Sequence, residues 1–160
     1  MKLILADTNI LVQKIRQSII WEDIEKTYFK KGIKNYGFIS YVTVGELSAF
    51  AYENGWGKNK MGKLRTSYLQ FQPVLISSKR VVDYYMQISA YSHDRHKSLR
   101  LPKKFSVRNM GKNDLWIAAT AAAGEMSLIT SDKDFFHLDG RFIEVIYIDQ
   151  EKYFSPDAHV

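Results

Sequence analysis

Residues 113–132 read NDLWIAATAAAGEMSLITSD, and this stretch decides the fold class. Asn113 suits a helix N-cap, an alanine-rich run follows, and Gly124 suits its end. SLIT at 127–130 is then a short strand, and Asp132 stands two residues past its end. A helix returning at once to an apolar strand is the unit of a parallel sheet whose strands are covered on both faces.

The rest of the chain repeats that alternation. KLILA at 2–6 and GFISY at 37–41 have the same buried-strand character, and the pattern predicts further strands at 74–76 and 144–148. Helices are predicted from near Asn9, over about 20–31 to Gly32, over 43–52, over 58–71, from Ser77 or Ser78 to about Ser92, and as a short turn at 133–137. The expected architecture is α/β, a central mostly parallel sheet flanked by helices. A single domain over 1–149 is expected, with a tail at 150–160; 160 residues suffice for one real core and little more.

Composition removes several chemistries. With no cysteine there is no disulfide, thiolate metal site or cysteine nucleophile, in keeping with a reducing cytoplasm. The longest uncharged stretch, 66–78, has 13 residues, whereas a membrane span needs about 20 apolar ones. MKLILAD meets an acid after four apolar residues, too few for a signal-peptide core. A soluble protein is expected.

Net charge is +6, and it is unevenly placed. Residues 95–112 hold seven Lys or Arg and no acid, 54–82 hold six and no acid, and 132–157 hold seven acids against three bases. Segregated basic surface attracts polyanions, nucleic acid foremost. The segment 93–112, with Pro102, Gly111 and dense charge, is expected to be irregular and on the surface.

Four acids fall at the carboxyl ends of strands, where parallel sheets open onto a crevice. Asp7 follows the first strand, Glu46 lies early in the helix after GFISY, Asp114 is in the first turn of the alanine-rich helix, and Asp132 follows SLIT. Carboxylates brought together raise one another's pKa unless a cation joins them, and hard divalent ions, Mg²⁺ or Mn²⁺, match all-oxygen ligands.

The motifs D7-T8-N9, E46 within VTVGEL, N113-D114 heading IAATA, and T130-S131-D132 before a phenylalanine pair occur in that order. They resemble the PIN domain, and more narrowly the VapC-type ribonuclease toxins of toxin–antitoxin pairs, over about 1–148. The resemblance implies an α/β/α sandwich that binds Mg²⁺ or Mn²⁺ through Asp7, Glu46, Asp114 and Asp132. It implies cleavage of RNA phosphodiesters by activated water, leaving a 5′-phosphate and a 3′-hydroxyl. It also implies a small antitoxin partner and a homodimer. Thr8, Asn9, Asn113, Ser131 and Asp134 become supporting or substrate-facing residues, Asn9 by tying its loop. Either acid of SDKD could be the fourth ligand, with Asp132 preferred for its nearness to the strand. Lys103, Lys104, Arg108 and Lys112 are expected to hold the RNA backbone, and Ile10, Leu11 and Ile15 to offer an exposed apolar strip for a partner peptide. The alternative is a non-catalytic RNA-binding or protein-interaction module on the same fold.

Other signals fail on inspection. GKNKMGK at 57–63 has phosphate-loop spacing, but Leu64 stands where Ser or Thr must hold the metal. His93 and His96 lack a further ligand, and no serine-hydrolase motif occurs. The aromatics at helical spacing suit a core; Trp56, between glycines, is the one best placed to stay accessible.

Overall fold

The computed structural model describes residues 1–154. Five strands, β1 (Leu3–Ala6), β2 (Tyr36–Ser40), β3 (Phe71–Val74), β4 (Ser127–Thr130) and β5 (Val145–Tyr147), form an all-parallel sheet in the order β3-β2-β1-β4-β5. The chain builds outward from β1 to β3 on one side, then crosses to build β4 and β5 on the other. The strand order therefore reverses between β1 and β4, and a crevice opens beyond their carboxyl ends.

β1 shows why the sheet is covered twice. Leu5 joins the core cluster beneath α5 (Lys79–Ser92) and α6 (Lys112–Ala123), which contains Ile88, Tyr91 and Ile117. Ile4 and Ala6 point the other way, into the cluster of α1 (Thr8–Arg16), α2 (Ile19–Ile24), α3 (Tyr41–Glu53) and α4 (Lys58–Tyr68). All three are 0% exposed. Burying such a leucine or isoleucine contributes roughly 1.5–3 kcal/mol. The alanines of α6 work by size: Ala118, Ala119 and Ala121 are fully buried, so α6 lies close against the sheet and α5.

Several boundaries differ from the sequence expectation. α3 begins at Tyr41, because the Ser40 hydroxyl accepts from the Val42 amide at 3.2 Å and ends β2 there. α6 begins at Lys112 with Gly111 as its N-cap, so Asn113 is inside the helix rather than capping it. Pro73 lies within β3, which is an edge strand and can spare an amide donor. The helix expected over 20–31 stops as α2 and continues as a π-helical turn at Glu25–Phe29. Ile10 and Leu11, expected as an exposed strip, are 0% exposed because α1 lays that face on the sheet; Ile15 remains half-buried.

Segment 93–111 is irregular, as expected, but it is anchored. Leu99 and Leu101 pack against the α5–α6 core, Met110 is buried, and the Arg108 amide donates to the Ser92 carbonyl at 3.1 Å. Most of its cationic side chains stay outside, with Arg95, Lys97, Arg100, Lys103 and Lys104 exposed and Arg108 half-buried. At the other end of the chain, Gln150–Tyr153 forms a 3₁₀ turn, and the Tyr153 hydroxyl donates to Asp23 at 2.5 Å. The remainder of the expected tail, 155–160, lies outside the described residues.

The sheet edge provides a test of packing. A Cβ on Gly37 would stand 2.6 Å from the Phe71 ring, which is wedged among Trp21 and Phe29. Gly37→Ala should destabilise the protein by about 1–3 kcal/mol, as overpacking does, and lower the melting temperature by several degrees. An unchanged melt would mean that the aromatic cluster can yield.

Candidate active site

Asp7 occupies the crevice at the end of β1 and is only 3% exposed. Its backbone is extended, so it caps α1: one carboxylate oxygen accepts from the Thr8 amide at 2.7 Å. The other accepts from the Thr130 hydroxyl at 2.7 Å. Thr130 closes β4, and its hydroxyl also accepts from the Asp132 amide at 3.0 Å. One hydroxyl thus fixes both acids across the point where the strand order reverses. Burial pushes the Asp7 carboxyl up to about 7 against the pull of those two hydrogen bonds, and the charges of Asp114 and Asp132 add to the rise.

Asp114 sits in the first turn of α6, half-buried, with its carboxyl pushed up to about 6. Burial is again the largest cause, followed by repulsion from Asp132, Glu46 and Asp134. Glu46 is held differently. It accepts from the Thr8 hydroxyl on one oxygen and from the Asn113 side-chain amide on the other, the latter at 2.7 Å. Glu46 therefore ties α3 to α1 and α6. Asn9 is exposed and lines a polar hollow with Ser131 and Asp132; Ser131 accepts from Gln150 at 2.8 Å.

The two acids of SDKD do different things. Asp132 caps the 3₁₀ turn Lys133–Leu138 by accepting from the Asp134 amide at 2.8 Å, and its charge reaches both Asp7 and Asp114. Asp134 accepts from the Arg108 guanidinium at 3.1 Å. Arg108, expected to hold the RNA backbone, is bound to Asp134 with its side chain 24% exposed. Lys103, Lys104 and Lys112 remain exposed.

Four acids from four parts of the chain thus share one rim, but they stand apart. Among the described residues no three His, Asp or Glu side chains form a group ready to hold one ion. The expected convergence on a single pocket is not seen: Asp7 is turned to the Thr8 amide and the Thr130 hydroxyl, Glu46 to Thr8 and Asn113, and Asp132 to the Asp134 amide. In donor chemistry the set suits a hard divalent cation, being all carboxylate oxygen, with two members held above their usual range by burial first and by their neighbours' charge second. Gathering the acids requires side-chain rotation, above all of Glu46.

A family model for the PIN domain matches residues 4–141. The chain belongs to the PIN domain family. Solved structures agree on the fold. VapBC2 from Rickettsia felis, in a structure bound to a DNA fragment from its promoter, aligns with TM-score 0.71 and 21% identity over 92% of this chain and 99% of that one. VapBC-1 from nontypeable Haemophilus influenzae gives 0.66 and 18% over 91% and 97%. VapBC-5 from Mycobacterium tuberculosis, a member of the VapBC family of toxin–antitoxin systems, gives 0.60 and 18% over 92% and 100%. Comparison with curated proteins produced no match.

Sequence reasoning overlooked two contributors to this PIN domain's site. Thr130 is part of a motif but has no role legible in the sequence, and only its 123-residue link to Asp7 reveals one. Gly111 is the other. A Cβ there would lie 2.8 Å from an Asp114 carboxylate oxygen, at the free end of a side chain that can swing away. Gly111→Ala should therefore leave the melting temperature within about a degree or two, since the displaced atoms are mobile, yet turn Asp114 out of place. Cleavage should fall about tenfold, the scale of a positional disturbance beside a metal ligand. Full activity in that variant would show that Asp114 has room to spare.

Proposed function

We propose that this PIN domain is a Mg²⁺- or Mn²⁺-dependent endoribonuclease, the VapC-type toxin of a toxin–antitoxin pair. The observation that carries the reading is the pair Asp7 and Asp114, held above the normal carboxylate range at the mouth of the sheet with Glu46 and Asp132 on the same rim. A fold that keeps mutually repelling acids in its crevice is built for a cation. Asp7, Glu46, Asp114 and Asp132 would hold it. When bound, such an ion supplies positive charge for the phosphate and acidifies water for attack on phosphorus.

The chain's own residues do the positioning. Thr130 orients Asp7, while Thr8 and Asn113 orient Glu46. Asn9, Ser131 and Asp134 border the site and support it or meet substrate. Lys103, Lys104 and Lys112 attract the RNA backbone, and RNA affinity should fall with salt with a log–log slope of about −0.7 per phosphate neutralised. Replacing Lys103 and Lys104 with Ala should flatten that slope by about 1.4 if each meets one phosphate. An unchanged slope would assign the basic segment to another role.

The spread of the acids favours one second reading, a non-catalytic RNA-binding or protein-interaction module on the PIN fold. One experiment separates them: cleavage of total RNA with Mg²⁺ or Mn²⁺, with chelator, and with the Asp7→Asn variant. Cleavage that needs both the cation and Asp7 supports the nuclease; no cleavage at any divalent concentration supports the module. The antitoxin partner is inferred from the VapBC and toxin–antitoxin assemblies that share the fold. A homodimer, a cytoplasmic location and a single domain over 1–149 with a tail at 150–160 belong to the same proposal. Among the described residues no helix is long and apolar enough to cross a membrane.

A further inference from the structure

Two hollows of similar size flank the acids, and they differ in charge. One, of about 650 Å³, lies beside Asp132 and carries Asp149 and Glu151 against Lys133. The other, of about 600 Å³, runs between α1, α3 and α4, starting at Thr8 and Glu46. Among the described residues its only acid is Glu46, already hydrogen-bonded by Thr8 and Asn113, and its cations are Arg16, Lys60 and Lys63. Both hollows lie within reach of an RNA strand whose phosphate is at the acids. Its neighbouring phosphates are repelled by the first and attracted by the second.

The second hollow also offers a stacking surface. Trp56 stands edge-to-face with half-exposed Phe50, ring centroids 5.8 Å apart, and Lys60 lies 5.9 Å from the Trp56 centroid. Gly55, in the left-handed region at φ +58°, makes the turn that brings Trp56 round after α3. Aromatic faces stack on any unpaired base, and a cavity of this size admits a nucleoside. An apolar peptide could fill the hollow, but α4 and its flanks, residues 54–82, have no acid to balance their bases, which suits a polyanion better.

We propose that the α1–α3–α4 groove is the specificity subsite of this PIN domain. It takes one unpaired RNA base, next to the cleaved phosphate, against Trp56, with Arg16, Lys60 and Lys63 on the adjoining phosphates. The proposal rests on the ribonuclease reading, and its test keeps the two apart.

The test uses the full chain and a single-stranded RNA oligonucleotide cleaved at one bond, with an abasic nucleotide placed in turn at each position around that bond. In the wild type, one position beside the bond should lower kcat/KM about tenfold when abasic, the stacking contribution of one base. In Trp56→Ala, the intact oligonucleotide should already be about tenfold poorer, and the abasic position should make no further difference. Trp56→Phe should recover part of the loss, and a melting curve checks that each variant is folded. Lys60→Ala with Lys63→Ala should flatten the salt slope of binding by about 1.4. A Trp56→Ala protein as sensitive to the abasic nucleotide as the wild type, or with unchanged RNA kinetics whatever it does to a protein partner, overturns the subsite. If the wild type cleaves no RNA, the nuclease reading fails, and equilibrium affinity for the same oligonucleotides decides the subsite: equal affinity of wild type and Trp56→Ala overturns it, a tenfold gap upholds it.

Discussion

Asp7→Asn should lose cleavage by at least about a hundredfold and, in chelator, should keep the stability that the wild type surrenders as pH rises from 4 to 7. Asp7 has an ordinary value of 3.8 in the unfolded chain and about 7 in the fold. Below pH 4 both states hold the proton, and its contribution to stability is complete. Between these values the fold holds the proton more tightly than the unfolded chain does, so each step up in pH costs stability. Above pH 7 the buried charge is fully present and the loss is complete. The ceiling on this loss is a few kcal/mol for a group so little exposed; Asp114 adds a smaller share in the same direction because solvent screens it.

Asparagine carries no charge to titrate, so the variant should be the more stable protein at pH 8 and nearly level with the wild type at pH 5. One effect opposes the gain. The carboxylate accepts from both Thr8 and Thr130, whereas the amide has one accepting oxygen, and a lost hydrogen bond costs about 1 kcal/mol. The charge term exceeds that. Urea melts in chelator at pH 5 and pH 8 measure both proteins; parallel pH slopes would show that Asp7 is better solvated than its 3% exposure indicates. Adding Mn²⁺ should reverse the ranking, because an ion that binds the fold alone stabilises it by about 2.7 kcal/mol at a hundred times its Kd. That gain needs an intact set of acids.

How far the sequence revealed this depends on the range of each interaction. β1, β4 and the start of the site were legible because LILA and the Leu128-Ile129 centre of SLIT are apolar and the acids follow the strands within two residues. Strand ends and first helical turns are local facts. Ile10 and Leu11 were misjudged because a nine-residue helix can present either face, and only the sheet beneath α1 selects one. Gly111 looked like a loop breaker; its value lies in what a side chain would displace three residues later. The Glu46 tie to Asn113 spans 67 residues and the Arg108 tie to Asp134 spans 26, so no local pattern marks either of them. The sequence did leave the choice within SDKD open, and there the structure adds a physical reason.

Asp132→Asn should remove cleavage by about a hundredfold or more, whereas Asp134→Asn should lower it no more than about tenfold. Asp132 uses one oxygen on the Asp134 amide, and its amide is pinned to the hydroxyl that also orients Asp7, so its carboxylate cannot leave the rim. Repulsion from it helps to raise both Asp7 and Asp114. Asp134 already has a cation, since Arg108 lies on it at 3.1 Å and also donates to its carbonyl at 3.3 Å. A carboxylate with a guanidinium partner gains less from a second cation, and moving to the site would strand a guanidinium whose Nε is buried without a partner among the described residues. The two variants should also differ in the fold. Asn at 132 can still cap the turn through its carbonyl oxygen, leaving segment 93–111 in place. Asn at 134 gives up the ion pair, so amides around Arg108 should exchange faster with solvent, while Asp7 keeps its raised value and Asp114 loses only the small part of its rise that Asp134 supplies. Cleavage assays and hydrogen exchange on both variants test this together. If Asp134→Asn were the inactive one, with exchange near Arg108 unchanged, Asp134 would be the fourth ligand and Arg108 would have to release it when the cation binds.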